Sequence, residues 1–62
     1  MRPFIFRVDR LDAEPVVRNR TLGGPIEALA YARQLLSDWP ECVAVEVLVG
    51  DELLERLRPP HA

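Results

Sequence analysis

The chain has 62 residues, a hydrophobic content of 48% and a formal net charge of −2. This composition is that of one small globular domain and argues against intrinsic disorder. The negative charge argues against non-specific attraction to nucleic acid or anionic membranes, and no apolar run approaches the roughly 20 residues that span a bilayer.

The N-terminal segment and the cysteine content favour a cytoplasmic protein. Residues 1–10, MRPFIFRVDR, carry charges within their first apolar stretch and have no small-residue cleavage site, so we expect no signal peptide. Cys42 is the only cysteine, which excludes an internal disulfide and a thiol-based metal cluster. All eight basic residues are arginines, whose planar and weakly hydrated guanidinium groups suit protein interfaces.

The first third of the chain predicts two strands. In residues 3–10 Phe4, Phe6 and Val8 fall on one face and the intervening residues on the other, which is the pattern of a half-buried strand. Residues 11–14, LDAE, interrupt this alternation and predict a hairpin connection. Residues 15–21, PVVRNRT, predict a second strand, and Pro15 indicates an edge position or a strand start.

A helix is predicted from Pro25 to about Trp39. Proline suits the first helical position, and Pro40 ends the helix because the residue before a proline resists the α conformation. Glu27 lies in the first turn, where the helix dipole favours a carboxylate. One apolar stripe follows the helical period through Ala28, Leu29, Ala32, Leu35, Leu36 and Trp39.

The last third of the chain contains one clear strand and one ambiguous segment. Residues 42–49, CVAVEVLV, alternate, with Val43, Val45, Val47 and Val49 on one face. The following DELLERLRPP fits a short helix capped by Asp51 and ended by Pro59, but a helix of that length is marginal on its own.

A returning strand is favoured for residues 53–58, because it protects an edge of strand 42–49. A two-residue Gly50-Asp51 turn would place Glu46 opposite Glu55, which is unfavourable. A three-residue Gly50–Glu52 loop would instead pair Glu46 with Arg56. Such loops usually have Gly or Asn at their third position, which is Glu52 in this chain.

These elements predict an α+β fold of order β-β-α-β-β, with one helix packed on one face of an antiparallel sheet. Residues 1–58 form a single domain, and residues 59–62 form a C-terminal tail. Leu29, Leu36, Phe6 and Val45 are expected to be the most buried residues, because they lie at the centres of the clearest apolar faces.

Three segments of this sequence resemble a family of short, uncharacterised bacterial proteins. They are the opening FIFRVDR, the helix IEALAYARQLL and the closing VEVLVGDELLERLRP. Members of that family begin with an aromatic "YFFxxxD" strand, continue into an "EAxxEA" helix and end on a hairpin around a Gly/Asp turn. The resemblance implies a ββαββ fold and no particular activity, so it assigns no functional residues.

No residue pattern in the sequence indicates an enzyme, a cofactor site or a metal site. Cys42 lacks a nearby base, because the only histidine, His61, lies in the predicted tail; we expect Cys42 to be a small, partly buried apolar residue. Asp9, Asp12 and Glu14 are expected to form a solvated acidic loop. Gly23-Gly24-Pro25 lacks the lysine and hydroxyl residue of a phosphate-binding loop.

The sheet face opposite the helix is the strongest candidate for a functional surface. It is expected to carry Ile5, Arg7, Asp9, Val16, Arg18, Arg20, Ala44, Glu46, Leu48, Leu54, Arg56 and Arg58. This mixture of aliphatic residues with five arginines and two acids resembles a protein interface. The candidate partner-binding residues are Arg7, Arg18, Arg20, Leu48, Leu54, Arg56 and Arg58.

The sequence therefore predicts a small, non-enzymatic protein-interaction module, whose partner is another protein or a second copy of itself. The alternative is a nucleic-acid-binding module that uses the arginines of the same face. That alternative is weaker because the chain is acidic and the face has no aromatic residue on which bases could stack. We expect no membrane association and see no evident small-molecule substrate.

Overall fold

The computed structural model describes residues 1–59 and confirms the β-β-α-β-β order. The elements are β1 (Arg2–Arg10), β2 (Ala13–Leu22), α1 (Pro25–Asp38), β3 (Cys42–Val49) and β4 (Glu52–Leu57). The four strands form one antiparallel sheet in the order β2-β1-β3-β4. The helix lies against one face of this sheet, mainly over β3 and also over β1 and β4. The last segment is thus a strand, as predicted.

The helix begins and ends where its flanking prolines predict. Pro25 is at the start of α1, Glu27 lies in the first turn, and Asp38 is the last helical residue before Trp39-Pro40. The predicted tail, residues 59–62, lies outside the described residues except for Pro59, and the prediction for His61 therefore stays untested.

The first hairpin turns at Leu11 and Asp12, and its return strand β2 begins at Ala13, two residues before the predicted start at Pro15. Asp12 adopts a φ of 60°, a left-handed conformation that aspartate tolerates in tight turns. Val8 pairs with Val16 but Arg10 pairs with Ala13, so β2 contains one extra residue at Glu14-Pro15. Such a bulge is compatible with proline on an edge strand, and β2 is an edge strand as Pro15 suggested.

Because of this bulge, the side chains of β2 lie on the opposite faces of the sheet from those predicted. Phe6 pairs with Arg18 and Phe4 with Arg20, and residues directly opposite each other in an antiparallel pair project from the same face. Val16, Arg18 and Arg20 therefore lie on the helix-covered side of the sheet, and their expected place on the opposite face is wrong. A shift of one residue reverses every side chain of a strand.

The second hairpin has the two-residue turn of one predicted alternative and the Glu46–Arg56 pairing of the other. The turn consists of Gly50 and Asp51, with Gly50 at a φ of 62°, so the expected three-residue loop is wrong. Leu48 pairs with Leu53 but Val47 pairs with Glu55, which makes Leu54 an extra residue in β4. The bulge restores the register that places Glu46 opposite Arg56, so the predicted pair is confirmed.

A third irregularity changes the start of β3. Asp9 pairs with Ala44 and Arg10 with Cys42, which leaves Val43 as the extra residue. Cys42 is buried in the core, more deeply than the partly buried position that the sequence predicted, whereas Val43 is 42% exposed. The expected continuous face of four valines is thus reduced to the buried Val45 and Val47 and the partly buried Val49.

The core forms between α1 and the central strands. Its fully or nearly fully buried members are Phe4, Phe6, Val8, Ala28, Ala32, Leu35, Cys42, Val45 and Val47. Phe6 and Val45 are buried as predicted, but Leu29 and Leu36 are only half-buried. The helix turns Ala28, Ala32 and Leu35 toward the sheet, where the two alanines are fully buried in the core.

Candidate protein-interaction surface

The sheet face away from α1, called the helix-free face below, carries a row of aliphatic side chains. Ile5 of β1 pairs with Leu48 of β3, which in turn pairs with Leu53 of β4. These three residues form the aliphatic row, which crosses three adjacent strands. Leu53 is 51% exposed, and the neighbouring bulge residue Leu54 is 42% exposed. The row therefore presents apolar surface to solvent where no element of the described chain covers it.

A charged cluster lies beside the aliphatic row, one step further along the strands. Arg7 pairs with Glu46, and Glu46 pairs with Arg56 across the sheet. The Arg56 guanidinium donates a hydrogen bond of 2.6 Å to Glu46 and lies 3.6 Å from an oxygen of Asp9. Arg7 lies 3.3 Å from the other oxygen of Asp9. Two arginines thus match two carboxylates, and this part of the face is electrically neutral.

The structure separates the seven candidate partner-binding residues into three groups. Arg7, Leu48 and Arg56 lie on the helix-free face by their strand pairing, and Leu54 lies at the bulge of β4 beside them. The other three candidates lie elsewhere. Arg18 and Arg20 belong to the helix-covered side of β2, and Arg58 follows the end of β4.

Two arginines on the helix-covered side contact aromatic rings of the helix region. The Arg20 guanidinium lies 4.9 Å from the centroid of the Tyr31 ring, and Tyr31 itself packs edge-on against Phe6 at 4.7 Å. Arg10 lies 5.3 Å from the Trp39 ring and donates two hydrogen bonds to the carbonyl of Glu14. These cation–π contacts tie the first hairpin to the helix.

Sequence reasoning missed Leu53 and Val17 on the helix-free face. Val17 pairs with Arg7 and is 55% exposed, but the predicted register placed it on the opposite side. Leu53 was expected to face Val49 on the helix side. The signal that could have found Leu53 is Gly50, because glycine in the first position of a two-residue turn is typical of a tight hairpin.

The described residues offer little for covalent or metal chemistry. Burial raises the pKa of the Cys42 thiol, and the nearby Asp9 and Glu41 carboxylates raise it further. The hydrogen bond that the thiol donates to the Ala44 carbonyl lowers this pKa by a smaller amount than burial raises it. A protonated thiol is a weak nucleophile. Within residues 1–59, no group of three or more His, Cys, Asp or Glu side chains is placed to hold a metal ion.

Comparisons with known proteins assign neither a family nor a function to this arrangement. No model of a known family matches the chain, and neither a curated protein nor a solved structure matches it. The resemblance to short bacterial ββαββ proteins therefore stays a prediction. In the part of the chain that the structure describes, no helix is long and apolar enough to cross a membrane.

The Glu46–Arg56 pair provides a test of the geometry of this surface. In a double-mutant cycle with Glu46→Ala and Arg56→Ala, we expect a coupling energy of about 0.5–1 kcal/mol that decreases with added salt, because both side chains are partly exposed. The control cycle joins Glu46→Ala with Arg18→Ala on the other face, and it should show additive effects. Equal coupling in both cycles would contradict the register of β4.

Proposed function

We propose that this protein is a small, non-enzymatic interaction module that associates through its helix-free face, and that its partner is a second copy of the chain. The carrying observation is the aliphatic row of Ile5, Leu48 and Leu53, which lies uncovered on a sheet face beside a neutral charged cluster. A domain of this size buries only about 60% of its unfolded surface, so it gains stability by covering such a row.

The charges of the face support a second copy as the partner. Arg7 and Arg56 are already matched by Asp9 and Glu46 within one chain, so the face attracts neither a strongly acidic nor a strongly basic partner. A two-fold axis near Leu48 would place the aliphatic row of one copy on that of the other, as in the self-complementary interfaces of symmetric dimers.

Nucleic-acid binding has less support. Arg18 and Arg20 lie on the other side of the sheet from Arg7 and Arg56, and Arg20 stacks on Tyr31, so the arginines do not form one basic face. A cytoplasmic location remains part of the proposal, on the sequence pattern of the N-terminus and the single cysteine.

The proposal is tested by the mass in solution of the wild type and of two leucine variants. We expect sedimentation equilibrium to show a monomer–dimer equilibrium for the wild type and a shift to monomer for Leu53→Asp, because the variant buries a carboxylate in the interface. The control is Leu11→Asp, which changes an exposed leucine in the first turn.

Two results would overturn self-association: a wild type that stays monomeric at the highest concentration, or equal effects of Leu53→Asp and Leu11→Asp on the mass. Binding to mixed RNA or DNA that weakens steeply with salt and is lost on replacing Arg56 by glutamate would instead support the nucleic-acid alternative. Thermal unfolding of each variant establishes beforehand that it folds.

A further inference from the structure

A groove on the helix side of the molecule lies apart from the helix-free face. It runs between the C-terminal half of α1 and the adjoining ends of β3 and β4, and it has a volume of about 840 Å³. Its walls include Leu36 of the helix, Val43 of β3 and Leu57 of β4, and Trp39 lies at the end of the helix. Its volume is within the range of about 300–1,000 Å³ that is usual for small-molecule sites.

The apolar walls of this groove are side chains that the core leaves uncovered. The period of the helix and the alternation of β3 would place Leu36 and Val43 in the core, yet Leu36 is half-buried and Val43 is exposed. The bulge at Val43 and the rotation of α1 toward Ala28, Ala32 and Leu35 leave them beside the core instead. An apolar ligand would complete the packing at this end of the helix.

The polar lining of the groove is positively charged. Arg33, Arg58 and the hydroxyl of Ser37 line it, and no carboxylate does so among the described residues. Within residues 1–59 the ion pairs involve Arg7 and Arg56, so neither groove arginine is engaged in one. Arg33 and Arg58 thus place two guanidinium groups beside apolar walls, with no ion pair to another of residues 1–59. This combination suits a ligand with an anionic head and an apolar body.

We propose that this groove binds a small amphipathic monocarboxylate, such as a medium-chain fatty acid. The hydrocarbon chain lies along Leu36, Val43 and Leu57, and the carboxylate accepts hydrogen bonds from the guanidinium groups of Arg33 and Arg58. The groove is partly open to solvent. This site does not depend on the helix-free face, so either proposal can fail without the other.

The test uses octanoate as the probe and Trp39 as the reporter. Trp39 lines the groove and is the only tryptophan of the chain, so any change in tryptophan emission arises from this residue. We expect a saturable change in emission on titration with octanoate, together with shifts of the amide resonances of Leu36, Val43 and Leu57. Octanol, which has a similar chain without the charge, should bind about tenfold more weakly, because its neutral hydroxyl can form neither an ion pair nor a bidentate hydrogen bond with a guanidinium group.

Variants of the two arginines test the recognition of the carboxylate. The double variant Arg33→Gln/Arg58→Gln should bind octanoate about tenfold more weakly and octanol unchanged. The matched control Arg18→Gln removes an exposed arginine of β2 outside the groove and should leave both affinities unchanged. The proposal is overturned by the absence of saturable binding, by equal affinities for octanoate and octanol, or by equal effects of the double variant and the control.

Discussion

Replacing Leu35 by alanine is expected to destabilise the domain by about 2–5 kcal/mol, because the change removes a buried side chain and leaves a cavity between helix and sheet. Leu35 is 5% exposed and belongs to the core together with Ala28 and Ala32. Neither alanine can extend to fill the space, so the site is unable to collapse around the substitution. Chemical denaturation of the two proteins in urea measures the difference.

The adjacent Leu36 supplies a matched control for this prediction. Leu36→Ala makes the same chemical change in the next residue of the same helix, but Leu36 is half-buried and borders the groove. We expect it to lose less than half as much free energy of unfolding as Leu35→Ala. An equal or larger loss for Leu36→Ala would mean that α1 is rotated relative to the sheet and that Leu36 lies at the core centre.

Replacing Phe6 by alanine is expected to cost about 3–5 kcal/mol. Phe6 is fully buried in β1 beside Val8, and its ring meets the Tyr31 ring edge-on at 4.7 Å. Domains are stable by about 0.05–0.15 kcal/mol per residue, which is about 3–9 kcal/mol for a chain of this length. Phe6→Ala should therefore leave much of the protein unfolded, as measured by circular dichroism and by the loss of amide dispersion in NMR spectra.

A conservative variant keeps this prediction testable if Phe6→Ala does not fold. Phe6→Leu retains most of the apolar volume and removes the edge-to-face contact with Tyr31, so we expect a loss of roughly 1–2 kcal/mol. If Phe6→Ala remains folded and loses less than about 1 kcal/mol, Phe6 does not lie at the centre of the core described here.

The order of the elements could be predicted from local patterns in the sequence. Alternation identified β1 and β3, and the helical period with Pro25 and Pro40 bounded α1. For the last segment, the marginal length of a helix and the unprotected edge of strand 42–49 favoured a strand. The signals for β1, β3 and α1 are local, since each depends on neighbouring residues within one element. The sequence is compatible with the tight turn at Gly50, but in a regular hairpin this turn would place Glu46 opposite Glu55, and it was therefore not favoured.

The faces of the edge strands could not be predicted, because they depend on bulges. One extra residue at Glu14-Pro15 moved Arg18 and Arg20 to the helix side, and one extra residue at Leu54 restored the register of β4. A bulge has no strict sequence signature, yet it reverses the side chains beyond it. The helix-free face consequently lost Arg18 and Arg20, and the charged cluster that remains on it, two arginines with two carboxylates, is neutral.

The rotation of α1 about its axis, which decides which side of its apolar stripe faces the sheet, could not be predicted either. Its apolar stripe is wide enough to include both Leu35 and Leu36, and Leu29 and Leu36 were expected to lie at its centre. The structure instead buries the small residues Ala28 and Ala32 completely, in one core with Phe6 and Val47. The part of the stripe that faces the sheet depends on packing against side chains of other elements, which the pattern of the helix alone does not contain.

The most direct test of self-association through the helix-free face is an isotope-filtered NMR experiment on an equal mixture of labelled and unlabelled chains. The account predicts intermolecular nuclear Overhauser effects between the methyl groups of Ile5, Leu48 and Leu53 in one copy and those of the same residues in the other. Intermolecular effects confined to Leu36, Val43 or Leu57, or none at concentrations where the mass indicates a dimer, would contradict it.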